Sequence, residues 1–196
     1  MNSSLTGPIE VVGAGLLGTS VGLALSRAGI EVWLRDHNPD NVRTAAGLGA
    51  GVPSPGRKAQ LVVVAVPPDR ISEQVRLALD TGAMVTDVGS VKGSILSSVE
   101  DHPHAARYVG SHPMAGSERS GPLAASVALF DGRPWAITPH ASSDPDVVDV
   151  VTQLATTCGA VTKVMSPHDH DVAVARISHL PHLMAALVAA QLSDAE

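Results

Sequence analysis

Short apolar runs alternate with amphipathic stretches along the chain. Residues 9–13 form an apolar run that ends at a glycine, and an amphipathic stretch then continues to Arg27, where an Ala-Gly pair follows. A second short run occupies residues 30–34, and an Asn-Pro-Asp sequence at 38–40 gives a helix-start signal. This order predicts a strand, a helix ending at the glycine, a second strand and a second helix.

The most continuous apolar run, residues 61–67, is typical of a strand buried on both faces of a parallel sheet. The segments after it continue to alternate. We predict helices over 69–79, 91–99 and 145–158, strands over 83–88, 107–110, 135–138 and 161–164, and a loop over 111–132. Strands and helices at this spacing indicate an α/β fold with a doubly wound, mostly parallel sheet, which the last strands extend.

The last segment of the chain has a different pattern. Its apolar residues are spaced 4, 3, 4 and 3 apart at Ala173, Ile177, Leu180, Met184 and Leu187. This spacing predicts one long helix over about 167–192, interrupted or kinked at Pro181. Because that is longer than a sheet-covering helix needs to be, we expect a first domain over 1–166 and the start of a second, helical domain over 167–196.

Composition narrows the classes of function. The chain has 196 residues, 44% of them hydrophobic and 16% charged, which suits a folded core of one domain or slightly more. With a formal charge of -6 and only one Phe, two Trp and one Tyr, it lacks the cations and stacking groups that nucleic acid requires. A single cysteine excludes an internal disulfide, and we identify no signal peptide and no membrane span, so we expect a cytoplasmic protein.

A GxGxxG motif follows the first predicted strand and opens the first predicted helix. Gly13 would allow the tight turn, Gly15 the approach of a pyrophosphate, and Gly18 close packing of helix on strand. Asp36 lies at the end of the next strand, 18 residues after Gly18, where it can accept hydrogen bonds from the adenosine ribose. These features predict a Rossmann-type domain that binds NAD, with NADP less favoured although Arg35 could accommodate its phosphate.

Four further residues are expected to contact the same cofactor: Leu16 and Leu17 at the helix start, and Val66 and Pro67 at the end of the third strand. The alternative is that the glycines only form a tight turn and that Asp36 is a surface acid.

Two later segments carry candidate catalytic groups. Ser90 follows a predicted central strand, at the edge of the sheet where open α/β sheets bind ligands, although it could also be the N-cap of the next helix. His112 is followed by Pro113, which restricts its backbone to extended conformations. An imidazole held in this way is suited to accept the proton of a hydroxyl, and the alternative is a histidine that is hydrogen-bonded in a loop.

The C-terminal segment is rich in histidine. His179 and His182 are three residues apart and share a helix face, with His168 and His170 upstream. Metal binding is possible in principle, but no zinc motif such as HExxH is present, so we predict no metal and expect substrate contacts or packing between domains instead.

Four segments in this order resemble the prephenate and arogenate dehydrogenases of tyrosine biosynthesis. They are VVGAGLLGTSVGLAL, DVGSVKG, GSHPMAGSERSG and DHDVAVARISHLPH, and together they span nearly the whole chain. The glycine motif is shared with many dehydrogenases, whereas the other three are specific.

The resemblance implies an activity and roles for individual residues. The activity is NAD-dependent oxidative decarboxylation of prephenate to 4-hydroxyphenylpyruvate, in which hydride passes to the nicotinamide while a histidine accepts the hydroxyl proton. His112 would be that catalytic histidine and Ser90 would help to orient it. The implied substrate-binding residues are Ser117, Glu118, Ser178, His179 and His182.

The resemblance also implies a homodimer formed through a C-terminal helical domain, of which this chain contains the beginning. Within the chain, Lys92, Arg119, Arg176 and the histidines are the groups expected to hold the two substrate carboxylates. Arogenate instead of prephenate as substrate, another dehydrogenase of the same architecture, and a non-catalytic NAD-binding regulatory module remain alternatives.

Overall fold

The computed structural model describes residues 4–176, which form eight strands and six α-helices. Five strands make a parallel sheet in the order β3-β2-β1-β4-β5. These strands are β1 (Ile9–Val12), β2 (Val32–Arg35), β3 (Val52–Pro53), β4 (Leu61–Val64) and β5 (Met84–Asp87). The helices between them are α1 (Leu16–Arg27), α2 (Pro39–Gly47), α3 (Pro68–Asp80) and, after β5, α4 (Gly93–Val99). The predicted doubly wound α/β fold is confirmed.

The remaining strands form a second sheet, which corrects the expectation that they extend the first. It contains β6 (Gly110–Pro113), β7 (Pro134–Thr138) and β8 (Val161–Val164), with β6 antiparallel to β7 and β8 parallel to it. A single parallel bridge between Val85 and Tyr108 joins the two sheets. Two further helices complete the described part, α5 (Pro145–Thr157) and α6 (Pro167–Val174).

The placement of β6 also differs from the sequence prediction. Of the residues predicted as a strand at 107–110, Arg107 ends a short 3-10 turn (Ala105–Arg107), Tyr108 forms an isolated parallel bridge with Val85, and the strand begins at Gly110. His112 therefore lies on a strand and not in a loop. Glycine, serine and proline disfavour a strand locally, but in β6 they pair with β7, with His112 opposite Ala136.

The first sheet is covered on both faces, which explains why β4 is apolar at every position. Val63 belongs to one buried cluster with Val21 of α1 and Leu154 of α5. The neighbouring residues of β4, Val62 and Val64, point to the opposite face and to the helices α3 and α4. Alternating side chains of one strand thus enter two separate cores.

Proline and capping residues fix where several helices begin. Helices α2, α3, α5 and α6 each start at a proline, which has no N–H to leave unbonded in the first turn. Asn38, Asp144 and Ser166 each cap the following helix by accepting a backbone N–H. Helix α4 begins at Gly93, two residues later than predicted, so Ser90 is not its N-cap residue.

Helix α6 is the first part of the predicted long C-terminal helix. Its residues His170 and Val174 are buried. The kink at Pro181 and most of the predicted apolar stripe lie outside the described residues. Between residues 4 and 176, no helix is both long and apolar enough to cross a membrane.

Candidate functional site

The glycine motif forms the turn between β1 and α1. Gly13 has φ +101°, and a Cβ there would lie 2.4 Å from the Ala65 carbonyl oxygen. A Cβ on Gly18 would lie 1.9 Å from the Gly13 carbonyl oxygen, so helix α1 can approach β1 only through a glycine. At Gly15, by contrast, a Cβ would meet no protein atom within 4 Å. Packing therefore requires glycine at 13 and 18. At 15, where glycine is the N-cap of α1, the open space leaves room for a ligand to pass close to the backbone.

Helix α1 starts at this turn with Leu16 and Leu17, both half-buried. The first N–H groups of a helix have no acceptor within the helix, and the helix dipole adds partial positive charge there. Leu17 also packs against the main core, which holds the first turn in place. The backbone at this position can bind an anion such as a pyrophosphate.

Asp36 extends from the end of β2 to the glycine turn. Its carboxylate accepts hydrogen bonds from the Ala14 N–H at 2.7 Å and the Asn38 N–H at 2.8 Å. His37 Nδ1 lies 3.0 Å from the same carboxylate. The side chain is 6% exposed. Asn41 Nδ2 lies 3.5 Å from the same oxygen, Oδ1, that Asn38 and His37 contact, whereas Oδ2 accepts the Ala14 N–H. Because a carboxylate has about four acceptor sites, Oδ2 retains one for a ribose hydroxyl.

A cavity of about 830 Å³ lies along the carboxyl edge of the sheet beside these groups. Of the predicted cofactor residues, it is lined by Gly13, Gly15, Asp36, Val66 and Pro67. Leu16, Leu17 and Gly18 are outside its lining. The residues present therefore fit a dinucleotide, because a glycine turn, a helix N-terminus and a fixed carboxylate meet in one cavity.

The sequence analysis did not identify part of this cavity wall. Ser120 and Gly121, from the segment after β6, line the cavity, and so do Arg70 and Gln74 of α3. A glycine-rich segment carries no signal of which cleft it will cover. Arg35, the predicted phosphate partner, also lines the cavity, but its Nε lies 3.6 Å from a Glu10 carboxylate oxygen.

His112 lies past the same edge of the sheet. Val12, Val64 and Asp87 are at one level across β1, β4 and β5. The bridge from Val85 to Tyr108 continues this register, and Ser111 Oγ donates to the Asp87 carbonyl at 2.8 Å. The residue after Ser111 is therefore just beyond the carboxyl end of β5. It is outside the lining of the cavity, on the β5 side of the sheet.

The His112 imidazole belongs to a chain of hydrogen bonds that the sequence did not reveal. Its Nδ1 lies 3.0 Å from His170 Nε2, and His170 Nδ1 lies 2.8 Å from an Asp171 carboxylate oxygen. The same carboxylate accepts the N–H groups of Lys92 and Gly93 at the start of α4, each at 2.8 Å. From the sequence, His170 is a candidate for metal or for a substrate carboxylate but not for a contact with His112, since nothing in the sequence brings α6 next to β6.

The ionisation of Asp171 follows from these contacts. Burial opposes the charged form, but hydrogen bonds from the Gly93 N–H, from His170 and from the Lys92 N–H outweigh it and hold the pKa of the carboxyl below its ordinary value. Asp171 is therefore a carboxylate at neutral pH and acts only as an acceptor.

Lys92 is buried beneath β6, which corrects its assignment as a candidate for substrate carboxylates. Its ammonium forms an ion pair with Asp87 and donates to the Ser111 carbonyl at 2.8 Å. The Tyr108 hydroxyl donates to the other Asp87 oxygen at 2.8 Å. Burial lowers the pKa of Lys92 against the opposing effect of Asp87, and burial with the Asp87 charge raises the pKa of Tyr108 well above its ordinary value. This network holds the backbone next to His112.

The other predicted residues are distributed unevenly. Ser90 is half-buried in the turn that follows β5, at the edge of the sheet where His112 lies. Glu118 is 88% exposed. Its carboxylate lies 4.0 Å from Arg119 Nε and 3.4 Å from Ser117 Oγ. Ser178, His179 and His182 fall outside the described residues. Within 4–176, no three His, Cys, Asp or Glu side chains are grouped to hold a metal ion.

The sheet order, the glycine turn and the carboxylate at the end of β2 define a dinucleotide-binding fold of the Rossmann type. Comparison with known families is more specific: a model of the prephenate dehydrogenase nucleotide-binding domain matches residues 21–164. The chain belongs to the prephenate dehydrogenase family.

Individual relatives agree with this. A probable prephenate dehydrogenase of Streptomyces niveus, NovF, is 37% identical over 190 residues, covering 95% of this chain and 52% of that protein. The chain thus spans about half the length of this curated relative. The crystal structure of A. aeolicus prephenate dehydrogenase with hydroxyphenyl propionate and NAD+ superposes with a TM-score of 0.85 at 29% identity, covering 95% of this chain and 69% of that one. The crystal structure of Synechocystis arogenate dehydrogenase superposes with a TM-score of 0.79 at 28% identity, covering 93% of this chain and 68% of that one.

Proposed function

We propose that this protein is an NAD-dependent dehydrogenase that converts prephenate to 4-hydroxyphenylpyruvate with loss of carbon dioxide. Membership of the family supports the reaction class, and the cavity beside Gly13 and Asp36 supports the cofactor. The observation that carries the proposal is the position of His112, just past the carboxyl end of β5, at the edge of the sheet to which the glycine turn also belongs.

The charge of Asp36 favours NAD over NADP. A fixed carboxylate can accept a hydrogen bond from a ribose hydroxyl, and it would repel a 2′-phosphate. Arg35, the group that could offset this repulsion, already lies near Glu10.

The chain's own groups supply positioning and one proton transfer. NAD, when bound, supplies the two-electron acceptor. His112 accepts the proton of the ring hydroxyl, and Ser90 orients the pair from the neighbouring turn. The substrate-binding residues in this proposal are Ser117 and Glu118, in the segment after β6, and Ser178, His179 and His182, which lie outside the described residues. Loss of the ring carboxylate then yields an aromatic product.

The proposed organisation is a dinucleotide-binding domain over 1–166 and the beginning of a helical domain over 167–196. We place the homodimer contact in that helical region, and the protein in the cytoplasm, where tyrosine biosynthesis takes place. A module that only binds NAD would have no use for the buried hydrogen bonds between His112 and His170.

The test is an assay of NADH formation by the full-length protein with prephenate and with arogenate. We expect turnover of prephenate, and His112→Asn should lower kcat by about 10²- to 10⁴-fold, the usual contribution of a general base, while the Kd for NAD is unchanged. His168→Asn, which changes an exposed imidazole two residues from His170, serves as the matched control and should keep normal kcat.

The contrary results are distinct. If arogenate alone is turned over, the activity is that of the Synechocystis neighbour, and the catalytic residues keep their roles. If neither substrate reacts although NAD binds, the regulatory module is correct. An active His112→Asn would refute the assignment of the base.

A further inference from the structure

His112, His170 and Asp171 form a linear chain of two imidazoles and one carboxylate. The two nitrogen contacts along it measure 3.0 and 2.8 Å. His170 is 1% exposed and has one ring nitrogen directed at each neighbour. A buried histidine bonded on both sides can occupy few protonation states, since each neighbour restricts one nitrogen.

The carboxylate end sets the direction of the chain. Asp171 can only accept, so His170 Nδ1 must carry its proton. A neutral His170 then has its lone pair on Nε2 and accepts from His112, which places the His112 proton on Nδ1. The lone pair of the neutral His112 imidazole is consequently on Nε2, the atom that can accept a proton from a substrate.

We propose that His170 and Asp171 are positioning residues that fix the tautomer of His112, so that Nε2 is its basic atom. The inference rests on the proposed function, in which His112 accepts the hydroxyl proton. As that proton arrives, the imidazolium of His112 keeps its Nδ1–H bonded to His170, and the negative charge of Asp171 lies at the end of the chain.

Backbone contacts hold both ends of this chain of hydrogen bonds. His112 is held on β6 by its pairing with Ala136 of β7. Asp171 is held by the two N–H groups at the start of α4. Asp171 cannot turn without breaking its hydrogen bonds to Lys92 and Gly93, and the His112 ring cannot turn without breaking its contact with His170. The orientation therefore exists before substrate binds, which is the condition for efficient general-base catalysis.

Replacing Asp171 by Asn should separate the acceptor from its charge. The Lys92 N–H and His170 Nδ1 share Oδ1, whereas the Gly93 N–H bonds to Oδ2. An Asn oxygen at the Oδ1 position keeps the bonds to Lys92 and His170 and places its NH₂ group against the Gly93 N–H. The His112 tautomer should then be kept, while the negative charge at the end of the hydrogen-bond chain is lost.

The first measurement is the two-bond ¹⁵N–¹H correlation spectrum of histidine-labelled full-length protein, assigned through His112→Asn. We expect His112 in the wild type to show a protonated Nδ1 and an unprotonated Nε2, and in His170→Leu, where the acceptor of the Nδ1 proton is removed, a loss of this preference. A protonated Nε2 in the wild type would mean that His170 is doubly protonated and donates to His112, which overturns the proposal.

The second measurement is kinetic. His170→Leu should lower kcat about 10²- to 10⁴-fold with little change in the Kd for NAD, and Asp171→Asn, which removes the charge but keeps an acceptor for His170, should lower kcat less. His170→Gln, whose amide oxygen can still accept from His112 Nδ1, should retain more kcat than His170→Leu. Asp169→Asn, on the exposed side of the same helix with Ser166 as its partner, is the matched control and should have normal kcat.

The results separate the two proposals. Wild-type kcat in both His170→Leu and Asp171→Asn, together with an inactive His112→Asn, would overturn the positioning role and leave the function intact. An active His112→Asn would refute the function. If Asp171→Asn does not fold because α4 loses its cap, the comparison of His170→Gln with His170→Leu decides: equal losses in the two overturn the proposal.

Discussion

The Ala14 N–H donates to the Asp36 carboxylate across 2.7 Å, so the acid at the end of β2 is bonded to the glycine turn after β1. The ribose-binding group and the pyrophosphate-binding turn are thereby held as one unit. Asp36→Asn keeps an acceptor for Ala14 but removes the charge. We expect the ratio of the Kd values for NAD and NADP to move towards NADP by about 10- to 100-fold, the range for hydrogen bonds to a charged group.

Calorimetric titration with both cofactors measures this ratio. Asp40→Asn removes an equal charge from an exposed position on α2 and is the control, since Asp40 is outside the lining of the cavity. An unchanged ratio in Asp36→Asn would exclude Asp36 as the discriminating group.

Gly18 and Gly15, two glycines of the turn, should respond differently to a methyl group. In Gly18→Ala the Cβ would lie 1.9 Å from a backbone oxygen, so we expect a loss of roughly 1–3 kcal/mol or more in the free energy of unfolding. In Gly15→Ala it meets no protein atom within 4 Å, and the loss should be at most about 1 kcal/mol, because alanine is a poorer N-cap.

At Gly15 the larger expected effect of a methyl group is on the affinity for NAD and not on stability. A methyl at 15 stands where a pyrophosphate would approach the backbone, so Gly15→Ala should bind NAD weakly although it is folded. Denaturant unfolding and NAD titration of the same samples give both quantities. Normal NAD affinity in Gly15→Ala would place the pyrophosphate elsewhere.

Lys92→Met tests the ion pair beneath β6. The substitution leaves the Asp87 carboxylate buried without its cation, and breaking a buried pair in this way costs about 3–5 kcal/mol. It also removes the donor to the Ser111 carbonyl, so we expect the free energy of unfolding and kcat to fall together. Urea unfolding measures the first. Lys58→Met, at an exposed lysine, should change neither, and equal stability of the two variants would contradict the structural role.

Cys158 is the single cysteine and should behave as an inert core residue. It is fully buried, and burial raises the pKa of its thiol from 9.0 to about 12. Below pH 9.0 the thiol is protonated in both states. Above it the unfolded thiol ionises while the folded one does not, so this group lowers stability as the pH rises towards 12.

Labelling with an aromatic disulfide reagent measures this directly. In the native protein the reaction should proceed at the rate of unfolding, and in denaturant it should be immediate. Ser142→Cys adds an exposed thiol as a positive control. Rapid labelling of the native wild-type protein would show that Cys158 is accessible.

The sequence was sufficient for the parts of the site that are local. The glycine turn, the helix that begins there and Asp36 all lie within one strand-helix-strand unit, where spacing alone determines proximity. The buried strand at β4 was equally clear, because coverage of both faces requires an apolar residue at each position.

The sequence was insufficient where distant segments meet. The residues of β6 have low strand propensity, and the strand exists because β7, more than twenty residues later, pairs with it. Lys92 has the appearance of a surface cation until Asp87 and Ser111 enclose it. His170 is 58 residues from His112 in the chain, and no local pattern indicates that their imidazoles touch.

Asp171 connects two segments that lie next to His112. It accepts the N–H groups of Lys92 and Gly93, which follow Ser90 closely, and through His170 it is bonded to the ring of His112. These segments are therefore tied together and should move as one unit. Ser117 and Glu118, by contrast, are exposed, so adjustment to the shape of a substrate falls to that segment.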